Sequence, residues 1–119
     1  MAEWETHEHP VDPERVRAAR VGQLTSDQAE QLRTLLAALG DPVRVRILTA
    51  LVAVEELCVG DLALALEVDE DAVSYGLRVL RRQGLVQRRA AGRMGFYRLT
   101  DRQTRAVLAK VLQQLQELI

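Results

Sequence analysis

Residues 69–84 read DEDAVSYGLRVLRRQG, residues 85–99 read LVQRRAAGRMGFYRL, and the hydrophobic period changes between them. In the first stretch Val73, Leu77 and Leu80 recur at three- and four-residue spacing, the mark of one helix face turned inward. Asp69 stands where an N-cap belongs and Gly84 where a helix C-terminus needs a left-handed residue, so the spacing predicts a helix to about Gln83. Its opposite face carries Asp71, Ser74, Tyr75, Arg78, Arg81 and Arg82. Beyond Gly84, Leu85–Arg89 and Phe96–Leu99 read as two short strands. Ala91-Gly92-Arg93-Met94-Gly95 joins them, with glycines free to take the positive φ of a turn. The expectation is a β-hairpin with an arginine at its tip.

Upstream of this stretch the chain reads as helices. Asp12-Pro13 is an N-cap with proline at the first helical position, opening a short helix to about Val21. Thr25 and Gln28 form a capping box ahead of an apolar stripe of Ala29, Leu32, Leu35, Leu36 and Leu39. Gly40 ends that helix, and Asp41-Pro42 caps the next, which carries Val43, Ile47, Leu48, Leu51 and Val54 inward. A further helix begins near Cys58 or Val59 and is apolar nearly all round (Leu62, Ala63, Leu64, Ala65, Leu66), so burial is expected. Downstream, Thr100 and Gln103 form a second capping box before a final helix bearing Leu108, Val111, Leu112, Leu115 and Leu118. The expected architecture is mainly α with a small β-hairpin, in the order of a winged helix-turn-helix. Residues 1–12 read as a flexible N-terminal arm and 13–119 as one DNA-binding and dimerisation domain.

The chain has 119 residues with 48% apolar and 28% charged content, ordinary for a single globular domain and far from disordered or low-complexity compositions. It has no apolar run of the roughly 20 residues a membrane span requires, so no membrane role is expected. The acidic start, Met1-Ala2-Glu3-Trp4-Glu5, lacks the order of a secretory signal. Cys58, the single cysteine, cannot close an internal disulfide, and a cytoplasmic location is the expectation. Charge is unevenly placed. Of 16 basic and 17 acidic residues, seven arginines (Arg78, Arg81, Arg82, Arg88, Arg89, Arg93, Arg98) and no acid fall in 72–100, giving that segment +7 and the rest −8. Such a pole calls for a polyanion, and nucleic acid is the commonest one.

Helix order, hairpin and acid-free basic pole agree on double-stranded DNA. A helix face mixing hydroxyls with guanidiniums suits a major groove, so Ser74, Tyr75, Arg78, Arg81 and Arg82 are the candidate readers. Arg88, Arg89 and Arg93 on the hairpin would reach flanking phosphates or the minor groove. No nucleophile–base pair, phosphate-cradling glycine loop or His-rich catalytic set is present, which argues against an enzyme.

Glu56-Leu57-Cys58-Val59-Gly60-Asp61-Leu62-Ala63, Ala72-Val73-Ser74, Leu77–Arg81, Gly84-Leu85-Val86, Gly92-Arg93 and Tyr97-Arg98-Leu99 together resemble the ArsR/SmtB metal-responsive repressors, and the SmtB branch most around Cys58. The resemblance covers about residues 26–118. It implies a homodimer, joined through its first and last helices, that represses from an operator of dyad symmetry. DNA would be released when a thiophilic or borderline metal ion binds. The chain departs from the family's usual Ser, His and Gln at Asp71, Tyr75 and Gly76. Three carboxylates, Asp69, Glu70 and Asp71, open the reading helix, favouring its dipole while repelling phosphate. Gly76 costs about 1 kcal/mol of helix propensity against alanine, which points to a close backbone approach or tolerated laxity.

The resemblance also places two kinds of metal site. At the first, Cys58 and Asp61 match family ligands; the arm's usual cysteine is absent, and His7 and His9 offer imidazoles in its place. That S, O, N, N set suits Zn, Cd or Co, while As(III), which prefers three thiolates, is less well served by one cysteine. At the second, between the dimer's last helices, the matching positions read Asp101, Gln103, Gln114 and Glu117, leaving only two carboxylates. Leu108, Val111, Leu112, Leu115 and Leu118 are the expected dimer stripe. The alternatives are a repressor sensing oxidation through Cys58 and a winged-helix protein-interaction module without DNA.

Overall fold

Side chains that accept a backbone N–H three residues on start the helices. Asp12 accepts from Arg15, Asp41 from Arg44, Asp69 from Ala72 and Asp101 from Thr104. The computed structural model, which describes residues 10–119, accordingly begins α1 (Pro13–Val21), α3 (Pro42–Ala53), α5 (Glu70–Arg82) and α6 (Arg102–Gln116). The Thr25–Gln28 box is formed in both directions and opens α2 (Ser26–Ala38). The second expected box is not. Asp101 takes the N-cap of α6, and Thr100 instead donates its hydroxyl to the Gly84 carbonyl at 2.6 Å, tying the end of the wing to the end of α5.

Between α3 and α4 (Val59–Leu66) lies β1 (Leu57–Cys58), which the sequence did not suggest. It pairs antiparallel with β3 (Met94–Leu99), Leu57 opposite Tyr97 and Cys58 opposite Phe96, and β3 pairs with β2 (Val86–Ala91). The expected two-stranded hairpin is therefore the larger part of a three-stranded sheet of order β1-β3-β2. Its strands run further than anticipated. Val86 faces Leu99 and Ala91 faces Met94, so the turn shrinks to Gly92-Arg93, with Gly92 at φ +61°.

The chain divides into two compact units, one ending at Arg33 and the other running from Thr34 to Ile119. In the first, α1 buries none of its residues. In the second, the core gathers Ile47, Leu48 and Leu51 of α3, Leu62 and Leu66 of α4, Val73, Leu77 and Leu80 of α5, Val86 and Leu99 of the sheet, and Leu108 of α6. Gly76 is buried where α5 meets α3; a Cβ there would stand 2.9 Å from Ile47 Cδ1, so the close approach is real. Two expectations need correction. α4 is not buried all round, since Leu64 is 78% exposed, and Val54 lies past the end of α3 and is 43% exposed. Among the described residues no helix is long and apolar enough to cross a membrane.

Arginines close three helix ends. Arg44 donates to the Ala38 and Ala37 carbonyls of α2 (2.6 and 3.0 Å), Arg46 to Leu66 of α4 (2.5 Å) and Arg105 to Val52 of α3 (2.8 Å). Each meets carbonyls that a helix leaves without intrahelical donors, at the negative end of its dipole.

Candidate nucleic-acid interface and metal site

Val73, Leu77 and Leu80 fix the rotation of α5 by turning into the core, and the opposite side is thereby presented outward. Tyr75 is 58% exposed, Ser74 is half-buried, and Arg78, Arg81 and Arg82 are exposed on that side. Among the described residues, Arg78, Arg81, Arg82, Arg88 and Arg93 have no ion-pair partner. Guanidiniums left unpaired in this way keep their full charge and fork geometry for an external anion. The α5 C-terminus holds its shape through Gly84 at φ +74°, whose N–H reaches the Arg81 carbonyl while the Leu85 N–H reaches Leu80. The wing thus leaves the helix at a fixed angle.

Strand register sorts the wing arginines by face. Arg88 lies opposite Tyr97, on the side where Val86 and Leu99 enter the core, and its guanidinium crosses the space where a Gly95 side chain would stand. Arg89 lies on the other side, where it is engaged within its own sheet. Its Nη2 is 2.5 Å from Glu56 Oε1, its Nε donates to Oε2 at 3.3 Å, and its guanidinium sits 4.9 Å over the Phe96 ring. The hydrogen bond from Arg89 holds the Glu56 carboxyl below its ordinary range, against partial desolvation, and the same bond raises Arg89. Arg98 is drawn to Glu55 at 3.9 Å. Glu55 and Glu56 are the residues that sequence reasoning missed as partners. They precede β1, and only its pairing with β3 brings them against the wing.

Cys58 ends β1 and is the N-cap of α4, 9% exposed and making no side-chain capping bond. Asp61 is exposed in the first turn of α4, whereas His7 and His9 lie outside the described residues. Among the described residues no three of His, Cys, Asp and Glu gather in a group able to hold a metal ion. Cys58 nonetheless opens onto a pocket of about 340 Å³ lined by Val59, Gly60, Glu70, Arg88 and Tyr97. Asp61 stands outside it. A thiol is the kind of donor that soft and borderline cations take. At the second expected site, Asp101 is engaged as the N-cap of α6. The Thr104 N–H holds its carboxyl below the ordinary range. Glu117 is at the far end of that 15-residue helix, roughly 24 Å away along the axis, so the two cannot meet within one chain.

The expected dimer stripe divides. Leu108 is only 4% exposed and belongs to the domain's own core, with Leu112 packed against it, which corrects its assignment to an interface. Val111, Leu115 and Leu118 remain outward at 38%, 50% and 82% exposure, joined by Val107.

Comparison with known proteins agrees with this arrangement. The family model for bacterial regulatory proteins of the arsR family matches residues 41–88, from the start of α3 into β2. A transcriptional repressor SmtB homolog of Synechocystis is 44% identical over 107 residues, spanning 90% of this chain and 80% of that protein. The chain belongs to the arsR family. This arsR-family regulator also resembles a cadmium resistance transcriptional regulatory protein CadC homolog of Staphylococcus aureus, 30% identical over 76% of this chain and 78% of that one. Among solved structures, the homodimeric winged helix-turn-helix DNA-binding domain of a possible ArsR-family regulator from Mycobacterium bovis superposes with a TM-score of 0.68. It is 28% identical, and the match covers 81% of this chain and 90% of that one. The fold is a winged helix-turn-helix, and the protein is a DNA-binding transcriptional regulator, not an enzyme.

Proposed function

We propose that this regulator is a metal-responsive repressor that binds operator DNA as a homodimer and leaves it when a thiophilic or borderline cation binds. The single observation that carries the reading is the set of unpaired guanidiniums on α5 and the wing, held on the same domain as a cysteine that caps α4 without a hydrogen bond of its own. Ser74, Tyr75 and Arg78 enter the major groove, while Arg81, Arg82, Arg88 and Arg93 meet phosphates. Arg89 supports the wing. The outward residues Val107, Val111 and Leu115 of α6, with Leu118 just past its end, form the self-complementary patch that a two-fold dimer needs.

Cys58 and Asp61, with His7 and His9 of the N-terminal arm, would hold the ion, and a bound cation would supply thiolate, carboxylate and imidazole cross-links between segments. The cadmium-resistance relative supports a soft or borderline cation; Zn, Cd and Co fit the donor set, and As(III) fits it less well. The arrangement of the two reading helices that a cross-linked dimer adopts need differ only slightly from the operator spacing. A coupling of about 1–3 kcal/mol weakens DNA binding roughly 5–150-fold. The test is a mobility shift on DNA upstream of the gene itself, titrated with a panel of metals. The wild type should bind and release, and Cys58→Ser should bind but no longer respond. Release by metal that persists in Cys58→Ser and fails in Asp101→Ala with Glu117→Ala would move the sensor to α6.

A further inference from the structure

We infer that Asp71 selects cytosine in the operator, its carboxylate accepting a hydrogen bond from the N4 amino group of that base in the major groove. The inference rests on the DNA-binding reading above and deepens it. Three carboxylates open α5, and the structure gives each a different place. Asp69 caps the helix, its side chain accepting from the Ala72 N–H at 2.7 Å. Glu70 turns back toward α4, with Oε1 3.3 Å from the place a Gly60 side chain would occupy. Asp71 does neither. It is exposed, and among the described residues its side chain has no hydrogen bond and no ion pair. The helical period puts it in line with Tyr75, Arg78 and Arg82, on the side away from the buried Val73, Leu77 and Leu80.

First-turn residues of a reading helix are the ones that reach base edges. A carboxylate there is repelled by every phosphate, so it subtracts from affinity unless a base donates to it. It accepts hydrogen bonds and donates none. In the major groove guanine presents only acceptors and thymine an acceptor and a methyl group. Adenine has a donor at N6, but its N7 acceptor stands beside it and repels an anion. Cytosine N4 is a donor with no acceptor of its own base at its side. The guanidiniums further along α5 attract DNA of any sequence, and the carboxylate confines that attraction to sites with cytosine under the helix start.

The test selects sites from a duplex library with a randomised stretch, using the full chain without added metal, and then measures the selected duplexes by fluorescence anisotropy. The wild type should enrich cytosine at one position repeated in both half-sites. Replacing that C·G pair by T·A should weaken binding at least about fivefold. Asp71→Asn, almost the same size, gains a donor beside its acceptor and should exchange cytosine for adenine there, because asparagine pairs with adenine N6 and N7. Asp71→Ala should lose the preference at that position and bind unrelated duplexes more tightly than the wild type. Circular dichroism checks that each variant is folded. Base preferences in Asp71→Asn and Asp71→Ala identical to those of the wild type would overturn the inference and leave DNA binding through α5 standing. A wild type that enriches no sequence would overturn both.

Discussion

Arg89 reaches across from β2 to Glu56, 33 residues earlier in the chain, and holds it at 2.5 Å while lying over Phe96. An arginine in the most basic stretch of the sequence is thus occupied inside its own sheet. Its neighbour Arg88, one residue away on the opposite face, is not. The wing alternates structural and available charge with the period of a strand.

DNA affinity should separate the two classes. Each phosphate contact contributes about −0.9 to the slope of log K against log salt. Arg82→Ala and Arg93→Ala should each flatten the slope by about one contact and weaken binding to all sequences alike. Arg89→Ala should leave the slope nearly unchanged. Fluorescence anisotropy across a salt series on operator and unrelated duplexes measures this, and equal slope changes for all three variants would refute the division.

The two depressed carboxyls set a direction for acid sensitivity. Glu56 and Asp101 both titrate below their ordinary values, held down by Arg89 and by the Thr104 N–H. A carboxyl depressed by folding contributes stability above its unfolded pKa and loses it as pH falls through the folded value. Asp101→Ala and Glu56→Gln should therefore be less stable than the wild type at pH 7, and the gap should narrow as pH falls from about 4 through the lower folded values. Urea midpoints at pH 7 and pH 3 give the comparison.

Glu67 is the one non-glycine residue at positive φ among the described residues, at +57°. It ends α4 with its N–H on Leu64 and the Val68 N–H on Ala63, the pattern that glycine adopts most readily. Its side chain is exposed, so little packing is lost on removal. Glu67→Gly should stabilise the domain by about 1 kcal/mol, after the extra chain entropy of glycine is subtracted. The urea midpoint should rise with the denaturant slope unchanged.

Local signals carried most of the fold into the sequence. Asp12, Thr25, Asp41 and Asp69 were legible as caps because a cap is decided within four residues, and Val73, Leu77 and Leu80 were legible as the core face of α5 from period alone. What escaped depends on distant partners. β1 is two residues long and exists only because β3 lies beside it. Asp101 and Thr100 are both competent caps, and the choice between them was made by the Gly84 carbonyl, 16 residues away from Thr100. Charge told less than it promised, since Arg44, Arg46, Arg89 and Arg105 serve the fold and look no different in sequence from Arg82. Cys58 was legible as the single thiol of the chain, whereas Glu70, which lines the same pocket, was read only as a helix-start charge. Its place beside Gly60 depends on how α4 and α5 pack.

Leu108 and Leu115 sit one helical heptad apart on α6 and have opposite fates, 4% and 50% exposed. Leu108→Ala removes a side chain from a core that includes α3 and should cost about 2–5 kcal/mol of domain stability. Leu115→Arg should cost the domain little, since surface substitutions stay within about 0.5 kcal/mol. If Leu115 belongs to a dimer interface, however, the arginine places two like charges against an apolar patch across the two-fold axis. Leu115→Arg should then sediment as a folded monomer and lose most of its operator affinity, because each half-site is bound alone. A wild type that is monomeric at micromolar concentration, or a dimeric Leu115→Arg, would remove α6 from the interface.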